Sequence, residues 1–185
     1  MIAKLLRSKA LVVLAIVLPG LWPAWPILRH DPTVMADPLK YVLHHLGFVA
    51  CLLLVIVLTF TPLRVLFPQS ELVRALNRHR TLVGVSAFFY AALHFTTHLV
   101  YEGGVAILAS DVKKPFLISG MTTLAILLVR LAYVAAALAA YHQANSRKLF
   151  SIQVVWIFAP LAVLDLLRIV RQRMPGKSPA APIVN

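Results

Sequence analysis

Residues 82–100, LVGVSAFFYAALHFTTHLV, form an apolar stretch long enough to cross a bilayer, yet they carry two histidines. His94 and His98 lie four apart, so a helix places them on one face. An imidazole inside a membrane is costly without a partner, and its usual partners are a proton path, another polar side chain or a metal. A neutral imidazole nitrogen is also a standard axial ligand of haem iron. The segment therefore raises the question of haem held within a membrane.

The rest of the chain agrees with a membrane setting. Hydrophobic residues make up 61 % of its 185 positions and charged residues 13 %, and its mean hydropathy is +0.85. Several apolar runs approach or exceed the roughly 20 residues that a spanning helix needs. The expected fold class is all-α, a polytopic transmembrane helical bundle. A chain of this length has room for about five or six spans joined by short loops. It has no room for a flavin- or nucleotide-binding domain, which would need about 100 residues or more.

The net charge of +12 and the pI near 10.6 do not point to nucleic acid. The basic residues sit in short clusters beside apolar runs, the arrangement that orients membrane helices. Cys51 is the single cysteine, so neither an internal disulfide nor a cysteine-held cluster is expected. No nucleophile–His–acid set, HExxH helix, CxxC pair or glycine-rich phosphate loop is present. With six acidic residues in all, hydrolytic acid–base chemistry has little to work with.

Five apolar runs are expected as spans, at residues 10–28, 41–67, 81–101, 116–142 and 150–167. The first resembles a signal peptide in charge and length but lacks a small-x-small cleavage site, so Trp22, Pro23, Trp25 and Pro26 read as the interfacial end of a retained anchor. The basic amino terminus and the loop carrying Arg64, Arg74, Arg78 and Arg80 should be cytoplasmic, and so should the tail with Arg168, Arg171, Arg173 and Lys177. Both ends inside require an even number of spans, and five runs are odd. The conflict lies in residues 116–142. As one helix they would be about 40 Å long, beyond a hydrocarbon core of about 30 Å, with Arg130 near the middle; as two helices, each would have only about 13 residues.

Five strings in order make a family resemblance: DPLKYVLHHLG (37–47), LTFTPLRVL (58–66), NRHRTLVGVSAFFYAALHFTTHLVYE (77–102), KKPFLISG (113–120) and RLAYVAAALAAYH (130–142). The chain resembles the haem-binding membrane subunit of the bacterial periplasmic protein-methionine-sulfoxide reductase system, in the ferric-reductase-like transmembrane group. The resemblance implies a bacterial inner-membrane protein of a six-span family, with a cytoplasmic amino terminus and b-type haem held by histidines. It implies electrons taken from the quinone pool, or from a flavin reductase and so by way of FMN. They would be passed to a periplasmic molybdenum-containing subunit that reduces oxidised methionines. The chain would then be an electron-transfer subunit with no substrate-reducing site of its own.

Carried over by position, His94 matches the third-span haem histidine, His142 the histidine that ends the fifth span, and His44 a histidine at the start of the second. Between the counterparts of Leu128 and Arg130 the family has about twenty more residues. They include a histidine where this chain has Val129, so one expected ligand is missing. If the family topology survives, His142 faces the same outer leaflet as His94 and the two clamp one iron; if residues 116–142 are a single span, His142 falls on the cytoplasmic side. His98, nearer the interface, reads as a solvated or propionate-contacting residue, and His44 as either solvated or part of a ligand or quinone site. Arg74, Arg78 and Arg80 read as topology determinants, with haem propionates or a flavin phosphate as other partners. His79 reads as a headgroup contact or a second cofactor position near the inner leaflet. The rival reading is a haem-free protein: an inactive internal-deletion form, a scaffold or a small transporter.

Overall fold

A computed structural model of the protein describes residues 8–104, 114–128, 132–145 and 156–174. Among these every regular element is a helix, as the apolar runs predict. Arg130 and the first part of the run 150–167 lie outside the described residues.

The first expected span is not one helix. α1 covers Lys9–Leu21, capped by the Ser8 side chain, and a separate short helix α2 covers Ala24–Leu28. Proline supplies no N–H to the helical ladder, and Pro19, Pro23 and Pro26 fall in this stretch. After α3, Pro32–Met35, the chain enters α4, Pro38–Leu66, three residues earlier than hydropathy alone suggests. The reason is local: the Asp37 side chain accepts the Lys40 N–H at 3.1 Å, and Pro38 occupies the first turn, where its missing N–H costs nothing.

With 29 residues, about 44 Å, α4 is the spine of the protein. Its Val49, Leu54, Leu58 and Phe60 are buried with Val12 and Ile16 of α1 and with Ala87. A short helix α5, Glu71–Arg78, leads into α6, Arg80–Tyr101. The latter ends where Gly103 and Gly104 take φ of 94° and 109°, a left-handed conformation that glycine adopts without a Cβ clash. α4 and α6 form the most extensive helix pair, and among the described residues they are the helices long and apolar enough to cross a membrane.

The run 116–142 proves to be two helices, α7 at Pro115–Leu128 and α8 at Ala132–Asn145. They pack closely on each other. Gly120 near the start of α7 meets the ring of His142 near the end of α8, so the pair is an antiparallel hairpin. The single-helix alternative, which would have separated His142 from His94, does not hold. α8 turns Ala136 and Ala139, three apart on one face, into the core beside α4. The last helix among the described residues, α9, is Ala159–Arg173, which runs past the expected end at 167; it lies along α4, buries Leu161, and Arg171 donates to the Leu66 carbonyl at the end of α4. Asp165, isolated in sequence, pairs with Arg168 at 3.1 Å.

Candidate functional site

His94 and His142 come together. Their ring centroids are 6.3 Å apart and their planes cross at 80°. His94 stands about 21 Å along α6 from Arg80, and His142 comes from the far helix of the hairpin.

Each ring rests on a glycine of a neighbouring helix. At Gly47 of α4 an added Cβ would lie 2.9 Å from Cε1 and 3.0 Å from Nδ1 of His94. At Gly120 of α7 it would lie 3.3 Å from both Cε1 and Nδ1 of His142. The first distance is shorter than real Cβ contacts, and the second is tight. The imidazoles therefore occupy space that any other residue would take.

The tautomer of His94 follows from chemistry. Its Nδ1 is 2.9 Å from the carbonyl oxygen of Leu43, and a carbonyl only accepts, so Nδ1 carries the hydrogen. In the neutral ring Nε2 then bears the lone pair. A second bond that fixes ring and tautomer is the usual support for a metal-binding histidine. The bond to a neighbouring carbonyl, which in sequence competes with metal ligation, here belongs to the other nitrogen.

The pair fits a haem iron. With metal–imidazole bonds of about 2 Å, two rings on opposite sides of one metal have centres roughly 6 Å apart, close to what is observed. Among the described residues no group of three or more His, Cys, Asp or Glu could hold a bare metal ion. A haem needs no such group, because its macrocycle supplies the equatorial nitrogens and the protein supplies the axial ligands.

The other candidates are distributed along the bundle. His44 follows Leu43 directly and shares a face of α4 with Gly47, so it lies within a turn of the pair. His45 ties α4 to α1, its Nε2 lying 2.6 Å from the Pro19 carbonyl oxygen. His98 is one turn beyond His94 in α6. Arg78 and Arg80 are exposed at the opposite end of α6 and do not join the pair; buried His79 lies between them. Sequence reasoning missed Leu43, Gly47 and Gly120. The HHLG and ISG strings carried the glycines, but a backbone acceptor leaves no mark in residue type.

Fold and site together define a protein that is all-helical among the described residues, with two helices there of membrane-spanning length and a crossed histidine pair drawn from separate helix pairs. The haem-binding subunits MsrQ of protein-methionine-sulfoxide reductase from Brucella ovis, Brucella canis and Brucella abortus are 31 % identical to it over 199 aligned positions, covering 88 % of this chain and 88 % of each relative. The chain belongs to the MsrQ family. The aligned length exceeds the 185 residues of this chain, so these relatives carry residues with no counterpart here. No family model and no solved structure matches it.

Proposed function

We propose that this protein is a haem b membrane subunit that relays electrons outward to a methionine-sulfoxide reductase. The single observation that carries the reading is the His94–His142 pair, at the spacing of two imidazoles on one iron, in a chain whose relatives are named haem-binding subunits. A haem bound there supplies one-electron chemistry. His94 and His142 hold it, Leu43 fixes the tautomer of His94, and Gly47 and Gly120 give the rings room.

Orientation follows from the charges. With α5 and its arginines on the cytoplasmic side of a bacterial inner membrane, α6 runs outward and places His94 in the outer half. The hairpin brings His142 back to the same side, and α9 returns the basic tail to the cytoplasm. The protein then passes the membrane as one multi-pass domain with its amino terminus inside. The partner outside is a periplasmic molybdenum-containing subunit, where methionine sulfoxide takes up two electrons and two protons and leaves as methionine and water.

A quinol is the donor that this layout favours. The histidine pair lies about 21 Å from the cytoplasmic end of α6, so a carrier dissolved in the bilayer approaches it from the side, past His44. A flavin would instead meet Arg78 and Arg80 at the inner end, where its phosphate finds exposed guanidinium groups.

A second reading is favoured by one observation. α7 and α8 have 14 residues each, about 21 Å, against a core of about 30 Å. This is the shape expected of an internal-deletion form that keeps the scaffold and has lost its cofactor. A reduced-minus-oxidised absorption spectrum of the full chain purified in detergent decides between them. A b-type Soret and α-band support the relay; a protein that folds and remains haem-free after haem is supplied contradicts it.

A further inference from the structure

We propose that Gly47 and Gly120 are positioning residues that lock the two axial imidazoles in crossed planes, and so set the electronic state of the iron between them. The proposal rests on the haem ligation argued above.

The observation is the 80° angle between the rings, close to perpendicular. Each ring is held on its own helix pair. His94 is confined between the Leu43 carbonyl, 2.9 Å from Nδ1, and the bare Cα of Gly47. It cannot turn without breaking that bond or leaving the glycine. His142 lies against Gly120 in the same manner on the hairpin, with an added Cβ meeting Cε1 and Nδ1 at 3.3 Å. α4 and α7 thus each present a glycine to the ring of a neighbouring helix, and together they fix the crossing angle.

The angle matters because of how imidazole meets low-spin ferric iron. The filled π orbital of each ring raises one of the two iron dπ orbitals whose lobes lie above and below the macrocycle plane. Parallel rings raise the same orbital and split the pair. Crossed rings raise both, and the pair stays nearly degenerate. Near-degeneracy keeps orbital angular momentum, which shows as a strongly anisotropic low-spin resonance with a large maximum g value. It also removes a stabilisation of the ferric form, so crossed rings raise the reduction potential relative to parallel ones.

Electron paramagnetic resonance of the oxidised, haem-loaded protein tests this, with Gly47→Ala, Gly120→Ala and Gly84→Ala alongside. The last is the control: its Cβ would meet only Val57, at an ordinary 3.7 Å. The wild type should give the large-g, strongly anisotropic signal. Gly47→Ala, whose new methyl must displace His94, should move the maximum g value down toward the rhombic signal of parallel ligands and lower the potential. Gly120→Ala should move both in the same direction by less, and Gly84→Ala should leave both unchanged. A rhombic wild-type signal from a haem whose optical spectrum is low-spin and lost in His94→Ala overturns the crossed geometry while leaving the ligation intact. Unchanged signals in both glycine variants overturn their positioning role. If Gly47→Ala fails to hold haem, the wild type and Gly120→Ala still decide, and a wild type that holds no haem fails the ligation reading itself.

Discussion

The two histidines stand on unlike supports. His94 belongs to the α4–α6 pair, helices of about 44 and 33 Å that overreach a hydrocarbon core of about 30 Å. Asp37 caps α4 through the Lys40 N–H and also accepts the Tyr101 hydroxyl at 3.1 Å, so the start of α4 and the end of α6 are fastened together. The Tyr90 hydroxyl donates to the Ile16 carbonyl, fastening α1 to the same pair. His142 belongs to the α7–α8 hairpin, about 21 Å deep, which falls short of the same core. One histidine stands on a helix long enough to cross such a core and the other on a hairpin of shorter helices. A haem site in this chain therefore depends on the hairpin's bringing His142 back beside His94.

The largest effects should come from removing each ligand in turn. His94→Ala takes away the ring fixed by Leu43 and Gly47, and haem content should fall by more than about tenfold, the equivalent of roughly 1.4 kcal/mol in affinity. His142→Ala removes the ligand on the shorter support. Haem should remain on His94 with a five-coordinate, high-spin spectrum. Haem content and spin state measured side by side check both, and equal loss in the two variants would erase the contrast.

Next in size is the hairpin's length. Inserting helix-forming residues between Leu128 and Ala132, about six per helix, makes up the missing 9 Å or so. Thermal unfolding followed by helical circular dichroism should shift upward by several degrees, with the haem spectrum unchanged. Loss of the spectrum would mean that the short hairpin is itself what places His142.

The smallest effects should appear in the long pair. Asp37→Ala removes a helix cap and the Tyr101 acceptor, and should cost about 1–2 kcal/mol. Tyr90→Phe should cost about 1 kcal/mol through the lost Ile16 bond. Neither should alter the haem absorption bands if the rings are held as described.

Much of this was legible in the sequence. The long runs at 41–67 and 81–101 became α4 and α6 with small shifts at their ends, because length and apolarity suffice for such helices. The hairpin was legible only as a contradiction: loop charges demanded an even count, while residues 121–142, around the point of division, hold no proline or glycine. The break after Leu21 was misread because Trp-Pro pairs suit an interfacial helix end as well as a helix stop. Arg78 and Arg80 read from residue type as topology determinants or as partners of a propionate or a flavin phosphate, and the rise of α6 separates Arg80 from His94 by about 21 Å. The support of the histidines was hidden for a physical reason. It consists of a carbonyl and two missing side chains, and neither announces itself in a pattern of polar and apolar residues.

The side of the membrane on which α8 ends is the most direct test. Asn145→Cys in a Cys51→Ala background, treated in intact spheroplasts with a membrane-impermeant thiol reagent, should be labelled without opening the membrane. Labelling only after lysis would put the end of α8 in the cytoplasm, separate His142 from His94, and contradict the paired site.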